Sequence, residues 1–199
     1  MREISLHLLD IAENSVAAGA RNISISMKED LLHDILEASV TDDGKGMTAE
    51  QAARVLDPFV TSRTTRKVGL GLPLLKAAAE ACQGGLELFS EPGKGTRVVV
   101  NFQHSHIDRM PVGDLPGTIL SLVIAYPSIH WVFNYLMVLP GGKGSEFCFD
   151  DSLIKETLDG VSLTEPDILR FLREMLEEGV ASVRNGWEEK GFIQDTVLA

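Results

Sequence analysis

The chain has 199 residues, 44% of them hydrophobic, enough for one large core or two small ones. Its formal net charge of −11 argues against a nucleic-acid partner, because an acidic surface repels phosphate backbones. Cys82 and Cys148 are too few for a disulfide framework and point to a reduced, cytoplasmic setting.

The acidity is uneven. Residues 1–103 are nearly balanced, as a site for anionic phosphates requires, and most of the excess lies beyond them. The start, Met1-Arg2-Glu3-Ile4-Ser5, has no apolar run of the signal-peptide type.

Residues 5–18 carry helical periodicity, with Gly19 near the end. Ile4, Leu8, Leu9, Ile11, Ala12, Ser15 and Val16 cover one side. Glu3, His7, Asp10 and Asn14 fall in a stripe on the other, flanked by Glu13. Such a stripe is either a solvated face or part of a magnesium–nucleotide site. In the second case the neutral oxygen of Asn14 suits magnesium, which favours hard oxygen ligands. Asp10, one turn earlier, can orient or deprotonate a nucleophile. His7 has the spacing to hydrogen-bond Asp10, although a structural role suits it better.

Ile23, Ile25 and Met27 alternate with Ser24, Ser26 and Lys28 as a half-buried strand. A polar hairpin over 29–34 returns the chain into a second strand that ends at Asp42. Asp42-Asp43-Gly44-Lys45-Gly46-Met47 follows. Its glycines let the backbone turn sharply and approach a ligand closely. Asp42, where the strand stops, can accept a hydrogen bond from an amine such as that of adenine. The same Asp-Gly pair also serves as an ordinary turn.

Residues 48–57 read as a helix opened by a Thr48/Gln51 capping box and stopped before Pro58. The stretch 60–68 is rich in hydroxyls and cations: a surface loop, or a short lid whose Arg63, Arg66 and Lys67 meet phosphate oxygens. Gly69-Leu70-Gly71-Leu72 then feeds a helix with Pro73 in its first turn, a natural phosphate site. A hairpin follows, with its second strand over 96–102.

Taken together, these motifs resemble the gyrase, chaperone, histidine kinase and MutL superfamily of ATP-binding domains. Asp10-Ile11-Ala12-Glu13-Asn14-Ser15 is similar to the superfamily's Asn-containing helix. Asp42-Asp43-Gly44-Lys45-Gly46 and Gly69-Leu70-Gly71-Leu72 resemble its two glycine motifs. Asp57-Pro58-Phe59 resembles a histidine-kinase Phe motif, and Gly95-Thr96 the terminal Gly-Thr pair. The resemblance covers about residues 4–102. It implies a two-layer α/β (α+β) sandwich of the Bergerat type, with helices on one face of a mixed sheet. It implies ATP and Mg2+ as cofactors, with Asp42 on the adenine amine, Thr96 supporting it and Asn14 on the metal. Gly44, Gly46, Gly69, Leu70, Gly71 and Leu72 would cradle the nucleotide. Asp10 stands where the superfamily's ATPases usually place a glutamate base, and Glu13 is a second candidate.

The chain starts almost at the Asn helix, with no dimerising hairpin and phospho-accepting histidine before it. A kinase of this form needs its acceptor on another protein, and a homodimer stays open. The expected function is phosphotransfer to a protein partner in signalling. The alternatives are a nucleotide-gated switch or weak ATPase, and a serine/threonine kinase of the anti-sigma type.

For the rest, 104–117 reads as a linker, 118–181 as a small α/β unit and 182–199 as a loosely ordered tail. The apolar run between Asp114 and Lys143 is interrupted by Pro127, Ser128, His130 and Asn134. It reads as a buried helix and strand, not a membrane span. Gly141-Gly142-Lys143-Gly144 lacks the spacing of a phosphate-binding Walker loop.

Overall fold

The computed structural model describes residues 3–57, 71–158 and 161–188, the last three as backbone only. Its sheet grows from alternation. In β1 (Asn22–Asp30), Ile23, Ile25 and Met27 are fully buried, while Ser24, Ser26 and Lys28 face the other way. In β2 (Ile35–Asp42) the same holds for Leu36, Ala38 and Val40. The two strands pair antiparallel, Ile25 opposite Val40, through a turn in which Asp34 takes a left-handed φ of 57°.

Beyond them lie β3 (Gly85–Glu91), β4 (Gly95–Gln103), β5 (His130–Val138) and β6 (Gly144–Asp150), in the order β3-β4-β2-β1-β5-β6. Only the β1–β5 pair is parallel, so the sheet is mixed. Helices α1 (Ile4–Ala17), α3 (Gly71–Ala81), α4 (Leu115–Ala125) and α6 (Pro166–Glu188) form the second layer. Of these, α1 packs on β1 and β2, α3 on β3 and β4, and α6 on β5 and β6. The short helices α2 (Ala49–Val55) and α5 (Ser152–Leu158) complete the described chain. The largest buried side chains, Trp131, Tyr135, Phe133, Phe102 and Phe149, sit between the layers. Each large apolar group buried this way stabilises the fold by about 1.5–3 kcal/mol.

The second half departs from expectation. Residues 118–181 do not hold a separate sheet, since β5 lies against β1 along its whole length, from Asn22 opposite His130 to Asp30 opposite Val138. The cause is the edge of β1, whose backbone groups need a partner once β2 has taken the other side. The stretch 104–117 is no loose linker. Ile4 and Ser5 donate their N–H groups to the carbonyls of Pro111 and Val112, at 3.0 and 2.9 Å. Those are orphan donors of the first turn of α1, so this segment acts as its cap. Helix α4 starts at Leu115, inside the stretch expected to be linker, capped by the Asp114 side chain on Gly117 N. Helix α6 continues through 182–188, where a loose tail was expected.

Candidate functional site

The site forms where α1 ends above the last residues of β2. Gly19, at φ +79°, stops the helix in the left-handed region open to glycine. Asp43 then fixes the connection to β1. Its Oδ1 accepts from Arg21 N (2.7 Å) and Asn22 N (2.9 Å), and its Oδ2 from Asn22 Nδ2 (2.6 Å). Burial pushes the Asp43 carboxyl up, but these donors outweigh it and hold it below its ordinary value.

Asp42 lies opposite Thr96 in the β2–β4 pairing and is 8% exposed. Its Oδ1 accepts from Gly44 N at 2.9 Å and Thr96 N at 3.2 Å. Its Oδ2 accepts from the Ser15 hydroxyl at 2.6 Å. Each carboxylate oxygen has two lone pairs, so Oδ2 keeps an acceptor position for a ligand amine.

Two glycines allow this geometry. Gly46, at φ +64°, passes so close to the Glu91 carbonyl that a Cβ would collide with it. Gly95, at φ +91°, does the same against the Asp42 carbonyl. Around them Ser90 Oγ accepts from Met47 N (2.9 Å) and pairs with Thr96 Oγ1 (2.9 Å), tying the glycine loop to the hairpin.

The cavity so enclosed measures about 340 Å³, within the range of small-molecule sites. Ile11, Met47, Leu88 and Val98 give it an apolar lining, to which the paired Asp42 and Thr96 also contribute. Of the residues singled out in the sequence, Asp10, Asn14, Asp42, Gly46, Leu72 and Thr96 line it together. Gly44 supports it through its bond to Asp42, and Gly71 is the buried first residue of α3. Glu13 is exposed and does not line the cavity. Arg63, Arg66, Lys67, Gly69 and Leu70 lie outside the described residues, as do Pro58 and Phe59.

The sequence pattern missed Ser15 and Lys45. Ser15 reads as a small residue on the apolar face of α1, and Lys45 as a spacer between glycines. Its placement of His7 in the polar stripe is corrected. His7 is 4% exposed, and its burial pushes the imidazole pKa down, against an opposing pull from Asp10. The cause lies in neighbours that no helical wheel contains, for α1 packs on both α3 and α4.

The donor set suits a nucleotide with magnesium. The neutral oxygen of Asn14 is a hard ligand, Asp10 lies one turn earlier on the same helix, and Asp42 offers an acceptor among apolar residues of the same cavity.

The family model described as "Histidine kinase-, DNA gyrase B-, and HSP90-like ATPase" matches residues 2–106. The "Non-motile and phage-resistance protein" of Caulobacter vibrioides is 33% identical over 117 residues, covering 54% of this chain and 14% of that protein. The "Cell-division control histidine kinase PdhS" of Brucella ovis is 31% identical over 120 residues, covering 54% and 11%. The "Heme sensor protein HssS" of Staphylococcus saprophyticus is 32% identical over 82 residues, covering 41% and 17%. This chain therefore spans less than a fifth of the length of these curated relatives. Among solved structures, the N-terminal domain of a DNA repair protein aligns at TM-score 0.47 and 15% identity, over 75% of this chain and 53% of that one. Full-length ShkA in complex with AMPPNP aligns at 0.41 and 24%, over 49% and 20%. Among the described residues no helix is long and apolar enough to cross a membrane.

Proposed function

This chain belongs to the histidine kinase-, DNA gyrase B- and HSP90-like ATPase family, and from that premise we propose that its cavity takes ATP with Mg2+ and serves phosphotransfer to a separate protein. The observation that carries the proposal is the Asp42 carboxylate. It is buried, lines the cavity among apolar residues, and is held by three donors that leave one acceptor position.

Asp42 would accept the adenine amine while Ile11, Met47 and Val98 exclude water from the ring faces. Asn14 would hold the magnesium, which supplies charge neutralisation at the phosphates when bound. Asp10, one turn before it, would orient the attacking hydroxyl or imidazole. The first turn of α3 lies by the cavity at Leu72, where the backbone N–H groups of a helix start and its dipole would favour phosphate. The curated relatives include histidine kinases, which supports a protein acceptor.

A nucleotide-gated switch is the second reading. It is favoured by Asp10, whose side chain is one methylene shorter than the glutamate expected at an ATPase base.

Incubation with γ-labelled ATP and candidate acceptors separates the two. Label on a protein supports phosphotransfer and free phosphate supports hydrolysis. Nucleotide binding with neither supports the switch. Equal ATP affinity with and without magnesium would remove the role given to Asn14.

A further inference from the structure

Ser90, Thr96 and Asp42 stand in one row across three strands. Ser90 is opposite Thr96 in the β3–β4 pairing, and Thr96 is opposite Asp42 in the β2–β4 pairing. Residues directly opposite project from the same face of a sheet, with Cβ atoms about 5 Å apart. Of the three, Asp42 and Thr96 line the cavity.

The hydrogen bonds around Ser90 admit one placement of protons. Its Oγ has three partners: Met47 N at 2.9 Å, the Gly95 carbonyl at 3.0 Å and Thr96 Oγ1 at 2.9 Å. The Met47 amide can only donate, and the Gly95 carbonyl can only accept. The single Ser90 proton therefore goes to Gly95. The contact with Thr96 is then a hydrogen bond only if Thr96 donates its own proton to Ser90. Ser90 Oγ gives one bond and receives two, which fills it.

Thr96 Oγ1, its proton committed to Ser90, can act toward a ligand only as an acceptor. The Asp42 carboxylate also has only acceptors to offer. Two neighbouring side chains that only accept call for donors on the ligand. An exocyclic amine brings two protons. A keto oxygen in its place brings none, and sets its lone pairs against theirs.

We propose that Ser90 is a positioning residue. By taking the Thr96 proton it fixes that hydroxyl as an acceptor, and so strengthens the preference of the cavity for a 6-aminopurine nucleotide over its 6-oxo counterpart. The proposal rests on the cavity being the ATP site. Without the Ser90 hydroxyl, the Thr96 O–H is free to turn and donate to a keto oxygen.

The test is calorimetric titration of ATP and of inosine triphosphate, which carries the 6-oxo group. The proteins are the parent chain, Ser90→Ala, Ser90→Thr, Thr96→Val and the Ser90→Ala/Thr96→Val pair, with unliganded melting curves as a fold control. Ser90→Ala should lower the ratio of ATP to inosine triphosphate affinity by about tenfold. Ser90→Thr keeps the hydroxyl and should hold the parent ratio. In the Thr96→Val background, Ser90→Ala should leave the ratio unchanged. Ser90→Cys, whose sulfur accepts only weakly, gives the same reading if the alanine variant does not fold. An unchanged ratio in Ser90→Ala, or an equal fall with and without the Thr96 hydroxyl, overturns the role of Ser90 while leaving the ATP site standing. A parent chain that binds neither nucleotide overturns both.

Discussion

Ser15 Oγ stands 2.6 Å from Asp42 Oδ2 and donates its proton there, joining the buried side of α1 to the last residue of β2. The contact couples the helix that carries Asp10 and Asn14 to the proposed adenine end, since Ser15 directly follows Asn14. Ser15→Ala removes a charge-assisted bond in a buried setting, and should destabilise the chain by about 1–3 kcal/mol. It should also weaken ATP, because Asp42 loses the donor that sets the angle of Oδ2. Urea unfolding and calorimetry on one preparation check both, and an unchanged ATP affinity would show that Gly44 and Thr96 orient the carboxylate unaided.

Asp42→Asn tests the acceptor itself. An amide can turn its oxygen toward Gly44 and Thr96, but then presents an NH2 group where the ligand also brings one. Affinity for ATP should fall by about tenfold or more, the cost of leaving buried donors unpaired. Unchanged calorimetric affinity would remove adenine from that end of the cavity.

Gly46→Ala tests the backbone beneath the site. At φ +64° a side chain is disfavoured, and the new Cβ would meet the Glu91 carbonyl. The expected loss is about 2–4 kcal/mol in urea unfolding, combining backbone strain with the shift of the hairpin. Gly93→Ala makes a control. It shares a positive φ, at 78°, but a Cβ there meets nothing, so it should cost less.

The turns were legible because each rests on a residue type with few alternatives. Gly44 and Gly46 stand where the backbone closes on Ala18 and Glu91. Thr48 and Gln51 form both bonds of the capping box, at 3.2 and 2.9 Å. The pairing of β5 with β1 was not legible. The alternation of Trp131, Phe133 and Tyr135 marks a half-buried strand but not its neighbour, which lies more than a hundred residues back. Ser15 was hidden for a related reason. Its partner comes from another element, and one hydroxyl among apolar residues carries no signal of its own.

A response to acid is expected at the far end of the sheet. The Ser152 hydroxyl and amide, with His130 at 2.8 Å, hold the Asp150 carboxyl at about 2, below its ordinary 3.8. A depressed folded-state pKa contributes stability above the unfolded value and loses it as pH falls. The stability of the parent chain should therefore decline between about pH 4 and pH 2, and Asp150→Asn should flatten part of that decline. Parallel slopes for the two proteins would show that Asp150 is not among the groups responsible.

A second acid sits deeper. Glu29 accepts from the Tyr135 hydroxyl at 2.5 Å, and His104 Nε2 lies 2.8 Å from its other oxygen. Arg184 of α6 donates to the same hydroxyl at 3.2 Å, with its guanidinium over the Tyr135 ring. Burial pushes the Glu29 carboxyl up, but the bonds from His104 and Tyr135 prevail and hold it below its ordinary 4.5. Burial and the Glu29 charge raise the Tyr135 hydroxyl in turn, so it stays a donor across the working range. Tyr135→Phe strips one donor from a buried carboxylate and should cost about 1–3 kcal/mol at neutral pH. Because the lost bond favours the ionised acid, the penalty should be full above pH 4.5 and shrink as Glu29 takes up its proton below it. Denaturant midpoints for parent and variant at pH 7 and pH 3.5 measure the difference. A penalty of the same size at both would mean that the Tyr135 hydroxyl acts independently of the charge on Glu29, as through the bond it accepts from Arg184.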